Sequence, residues 1–232
     1  MKNLLVKLFK LTIGMILCSS STVFMLNSNL GLLPWDVFHQ GLSNILRIDI
    51  GLASIIASFI VLMVAFLLGE KIGIGTLFNI VVSGILIDLI NNNDLIPKAP
   101  NLIAGLLMIL IGMVCMGLGC YFYISCALGC GPRDSTMIGL SKRFNKSVNI
   151  IKAIMEVTVL IVGIILGGKF GLGTIIPALF IGIFIELPFK LTKVDVKEIK
   201  HSSIRESYVH ILELIKSNKE NDKENIIHPS HN

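Results

Sequence analysis

Leu128-Gly129-Cys130-Gly131-Pro132-Arg133-Asp134, followed by Gly139-Leu140-Ser141, decides how this chain folds, because it occurs twice. Ninety-eight residues earlier the sequence reads Leu30-Gly31-Leu32-Leu33-Pro34-Trp35-Asp36 and then Gly41-Leu42-Ser43. The same gapless offset superposes Gly69, Lys71, Gly73, Gly75 and Thr76 on Gly167, Lys169, Gly171, Gly173 and Thr174. It also pairs Gly14 with Gly112, Phe24 with Phe122, Gly84 with Gly182 and Asp88 with Glu186. So many matches at one fixed spacing mark residues 11–90 and 109–188 as two copies of one unit.

Composition says where such a unit lives. Hydrophobic residues fill 53% of the 232 positions and charged ones 15%, with a mean hydropathy of +0.81. Uncharged runs at 11–35, 50–69, 72–87, 99–132 and 170–185 have the length of bilayer segments, which take roughly 17–25 apolar residues each. An ordinary soluble domain is excluded. The net charge of +5 sits mostly in one loop and the tail, so it reads as membrane orientation, and no nucleic-acid partner is expected. The five cysteines (18, 115, 120, 126 and 130) lie in or beside apolar runs and read as small apolar residues. No metal site, cofactor or enzymatic activity is expected. Lys2, Lys7 and Lys10 before an apolar run resemble a signal peptide. The first run, however, has its repeat counterpart at 109–126, so it is expected to be a retained helix.

The expected fold is an all-α membrane protein with about six transmembrane helices, at 8–27, 50–68, 74–90, 101–125, 148–167 and 173–190. Residues 1–95 form the first repeat, 96–191 the second, and 192–232 a cytoplasmic tail. Three crossings per repeat put the second copy in the membrane upside down. Charge agrees with parity. With the N-terminus inside, inner segments hold Lys2, Lys7, Lys10, Lys71, Arg133, Lys142, Arg143, Lys146, Lys190 and Lys193, and outer loops only Arg47, Lys98 and Lys169. That is the positive-inside rule. Within the tail, 203–217 has an amphipathic pattern and the Asn-, Lys- and Glu-rich end reads as disordered.

The duplicated loops carry the candidate chemistry. Pro34 and Pro132 suit the first turn of a helix, where a missing N–H costs nothing, so short helices are expected at 34–46 and 132–145. Asp36 and Asp134 fall in those first turns, either as dipole-complementing caps or as walls of a solute or ion path. Gly129, Gly131 and Arg133 belong to the same loop and are candidates for the same path. Gly73, Gly75 and Thr76, with their partners Gly171, Gly173 and Thr174, read either as a tight helical hairpin or as a broken helix offering N–H groups to a ligand. Ionisable residues within spans are functional suspects. Glu156 lies mid-span with Lys152 one turn before it, a self-neutralising pair whose counterparts are Ser58 and Ser54. Asn79 is placed to bond a neighbouring helix, and Pro177, its counterpart, to kink its own. His39, the one histidine ahead of the tail, has no partner at catalytic spacing and is given no role.

Together the two loops and the 167–174 stretch resemble the YczE/YitT-type family of bacterial multi-pass membrane proteins, closer to its YczE branch. The resemblance covers residues 11–191 and leaves out the tail. It implies a bacterial inner-membrane protein of a kind often described as transporters, and it supplies no substrate or reaction. Leu33 stands where the second loop has Gly131. The expected function is a secondary transporter or exporter of a small solute or ion, with both termini cytoplasmic. The alternative is an assembly or regulatory membrane protein that binds a partner through its loops and tail. The lipid bilayer is the expected environment, and a homodimer the expected assembly.

Overall fold

The computed structural model describes residues 2–70, 74–126 and 131–192. Gly73, Gly129 and the tail beyond 192, with its 203–217 stretch, lie outside the described residues. Among those described, eight helices follow one another without a strand: α1 (Lys2–Asn27), α2 (Pro34–Leu46), α3 (Ile50–Leu67), α4 (Ile74–Asn92), α5 (Leu102–Ser125), α6 (Pro132–Phe144), α7 (Val148–Ile165) and α8 (Leu172–Thr192). Adding ninety-eight to the bounds of α2 gives those of α6, and the same shift turns α3 into α7.

Local chemistry fixes those matched ends. Each short helix starts on proline and ends on a residue in the left-handed region, Arg47 (φ 55°) and Asn145 (φ 51°). At each end a serine hydroxyl closes the turn. Ser43 Oγ donates to the Ile48 carbonyl and Ser141 Oγ to the Lys146 carbonyl, both at 2.6 Å. The glycine of each Gly-Leu-Ser triplet serves a different purpose, close approach. A side chain on Gly41 would collide with the Gly163 carbonyl and Leu166 Cβ, both at 2.7 Å, and one on Gly139 with Leu68 Cβ at 2.8 Å. Leu68 and Leu166 are themselves repeat partners.

These contacts reveal a crossed arrangement. α2 packs on α7 of the other repeat more extensively than on α3, and α6 likewise prefers α3 to α7. The pairs α1–α4 and α5–α8 match, and α1 meets α5 at the centre. One pairing breaks the pattern. α3 lies close against α4, where Gly51 meets Gly84 and the Asp88 carboxylate accepts from the Gly51 and Leu52 N–H groups at 2.6 and 3.0 Å. α7 and α8 make no comparable contact, and Glu186 instead pairs with Lys190 at 3.0 Å. Asp88 thus caps the start of α3 from a neighbouring helix.

Among the described residues five helices are long and apolar enough to cross a bilayer: Phe9–Asn27, Ile50–Leu67, Leu102–Ser125, Val148–Ile165 and Leu172–Thr192. The sixth expected span, α4, is shorter in its described apolar part, Thr76–Asn92. Large side chains such as Phe66, Leu67, Ile165 and Leu179 stand more than 60% exposed on the outer faces, an apolar surface far beyond the patches of soluble proteins. Inside, Met25, Leu32, Val37, Ile109 and Met113 form a core cluster where the repeats meet. Pro177 is buried within the continuous helix α8.

Candidate functional site

The two short helices bring the duplicated loops together. Neither start has a side-chain cap, since Leu33 and Gly131 hold the N-cap positions. The Asp36 carboxylate is instead engaged with side chains. Its Oδ2 accepts from Thr22 Oγ1 at 3.3 Å, and its Oδ1 lies 3.4 Å from His39 Nδ1, one turn on. Arg133 Nη2 approaches His39 Nε2 at 3.4 Å. A guanidinium only donates, so Nε2 accepts and the imidazole proton sits on Nδ1, directed at Asp36. The same guanidinium lies 4.5 Å from the centroid of the Trp35 ring, within cation–π range. Trp35 and Arg133 are repeat partners, so the network joins one repeat to the other through equivalent positions.

Beside this network lies a chamber of about 350 Å³, within the usual range for small-ligand sites. Helices α1 and α3 to α7, with the start of α2, supply its walls. Several repeat pairs face it with both members, among them Asp36 with Asp134, Ser54 with Lys152, and Ser58 with Glu156. Lys152 Nζ and Glu156 Oε1 are 4.0 Å apart and both partly exposed. With every group ionised, the carboxylates Asp36, Asp134 and Glu156 exceed the cations Arg133 and Lys152 by one negative charge. The chamber therefore favours a positively charged occupant.

The other candidates divide cleanly. Gly131, Pro132 and Asn79 line the chamber, and Asn79 Oδ1 accepts from Ser83 Oγ on its own helix at 2.7 Å. Pro34 starts α2 just outside the lining. Gly171, Gly173 and Thr174 stand apart from it, against the loop of the first repeat. Gly173 N–H donates to the Leu30 carbonyl at 2.7 Å, and Gly171 N–H to Thr174 Oγ1 at 3.4 Å. Opposite them Gly31 takes φ 115°, and a side chain there would meet Gly171 N at 2.7 Å. The Gly171 and Gly173 N–H groups are thus spent within the protein. Thr76 and Thr174 are both fully buried. Gly75 lies in the first turn of α4.

Sequence reading gave no role to His39 or Thr22. The signal for His39 was its place three residues after Asp36 on a short helix. Thr22 carried none, being an ordinary residue of an apolar span. Among the described residues no group of three His, Cys, Asp or Glu side chains converges as a metal cluster.

Apolar spanning helices around a charged chamber define a helical membrane protein with an internal polar site. The chain belongs to the Family of unknown function (DUF6198), which it matches over residues 5–190. It is 37% identical to an uncharacterized protein of Haemophilus influenzae over 67% of its own length and 70% of that protein. It is 32% identical to the uncharacterized membrane protein YczE of Bacillus subtilis, over 67% and 72% of the two chains. A second Bacillus subtilis protein, YyaS, shares 26% identity over 71% and 83%. The YczE-type resemblance read from the duplicated loops stands on these matches. No solved structure matches the chain.

Proposed function

We propose that this protein is a secondary transporter of a small cationic solute or ion, built from two inverted repeats in a bacterial cytoplasmic membrane, with both termini inside. One observation carries the reading: a chamber at the junction of the repeats is lined by matched positions from both and holds more carboxylates than cations. Sites of this kind, between repeats and near short helices, are where alternating-access carriers bind their cargo. The exchange of short helices between halves gives the two repeats a shared hinge, and rocking one half against the other would open the chamber to each side in turn. The positive-inside distribution of lysine and arginine supports the orientation; Arg133 is drawn into the chamber, and the bias persists without it.

The test uses the full chain in liposomes, with ion uptake recorded on addition of sodium, guanidinium, choline or silver ions. Uptake of at least one of them is expected, and Glu156→Gln or Asp134→Asn should reduce it by tenfold or more. No uptake of any of the four by protein of native monodispersity would refute the proposal.

A further inference from the structure

The chamber wall is unusually rich in sulfur. Met15, Cys18, Met116, Cys120, Met137 and Met155 all line it. These are six of the fourteen cysteines and methionines in 232 residues, gathered among only 26 lining positions. A proportional share would be fewer than two. The arrangement also follows the repeat: Cys18 corresponds to Met116, and His39 to Met137, so two equivalent positions carry metal-binding side chains in both copies.

Cys18 and Cys120 come within side-chain hydrogen-bonding reach of each other where α1 crosses α5. Gly119 allows it, because a side chain there would strike Cys18 Sγ at 2.6 Å and Cys18 N at 2.9 Å. No disulfide joins the pair; both thiols are free. Hard cations prefer oxygen ligands, and here Asp36 is already held by Thr22 and His39 while Glu156 faces Lys152. Thiols and thioethers select soft cations, above all Cu(I).

We infer that the chamber binds a soft monovalent metal cation, Cu+ or its redox-inert analogue Ag+, between the Cys18 and Cys120 sulfurs, with thioethers of the same wall completing the site. Treating the ion as cargo rests on the transport reading; the binding does not. As the metal–sulfur bond forms, one thiol loses its proton to solvent, so one positive charge enters and one leaves. The metal stays monovalent throughout, and no electron is transferred.

The experiment uses purified full-length chain carrying Cys115→Ser, Cys126→Ser and Cys130→Ser, which leaves the two chamber thiols. Titration with Ag+ is followed by calorimetry and by proton release. One ion per chain is expected, with roughly one proton released. Cys18→Ser with Cys120→Ser should weaken binding at least a hundredfold. Met116→Leu, which preserves volume and folding, should weaken it by roughly tenfold, in line with losses of supporting groups at metal sites. Binding that ignores both changes, or no binding, overturns the inference. Ag+ binding without uptake into liposomes would sink the transport reading and uphold the site. Transport of sodium or guanidinium by a chain that binds no Ag+ would do the reverse.

Discussion

Replacing Arg133 with leucine removes the one cation that links the two loops while roughly preserving volume. Two interactions vanish. The first is its hydrogen bond to His39 at 3.4 Å, long for a charged donor and so worth about 1.5 kcal/mol, at the low end for such bonds. The second is its placement 4.5 Å from the Trp35 ring, worth about 1–2 kcal/mol in a partly desolvated site. The total of about 3 kcal/mol corresponds to a fall in melting temperature of roughly 6–12 °C for a chain of this size. The loss also leaves Asp36 without a counter-charge, so Asp36→Asn should cost less when combined with Arg133→Leu than in the native chain. Groups sharing one network couple by about 0.5–3 kcal/mol, and His39 is the shared partner here. The assay is a double-mutant cycle on detergent-solubilised protein, melted with the fluorescence of Trp35, the only tryptophan, as readout. Strict additivity of the two substitutions, or an unchanged melting temperature for Arg133→Leu, would refute the network.

Gly117 lies against the Phe184 carbonyl where α5 crosses α8, so Gly117→Val should destabilise by about 1–3 kcal/mol or more, whereas Gly182→Ala, with open space around it, should be neutral or stabilising by up to ~1 kcal/mol; equal melting shifts would contradict the packing. Ser43→Ala and Ser141→Ala each delete a hydroxyl-to-carbonyl bond of 2.6 Å and should cost about 1 kcal/mol apiece; a cost confined to one of them would break the equivalence of the two ends. Ile45→Cys and Arg143→Cys are exposed repeat partners. In a cysteine-free background an impermeant thiol reagent should label them from opposite faces of the membrane, and labelling from the same face would rule out inversion.

Much of the architecture was legible because a duplicated sequence makes its own internal check. The proline starts of α2 and α6 and the ends of α3 and α7 all followed from one offset. A repeat cannot reveal which copy a helix packs on, so the crossing of α2 onto α7 stayed hidden. Gly-x-Gly-Thr was ambiguous for a related reason. Free N–H groups at a helix start look the same in sequence whether a ligand or a distant carbonyl accepts them, and here the acceptor is Leu30. Asp36 and Asp134 were found through their spacing from proline. The sulfur-lined wall escaped notice because methionine and cysteine are unremarkable in apolar helices until several converge from separate spans.

The exchange of short helices also constrains how this protein can be made. Asn44 on α2 bonds the Gly167 carbonyl at the end of α7, 123 residues later. A ribosome feeding the chain into the membrane from its N-terminus must release α2 long before its docking surface exists. The docking of α2 therefore has to wait until the second repeat arrives.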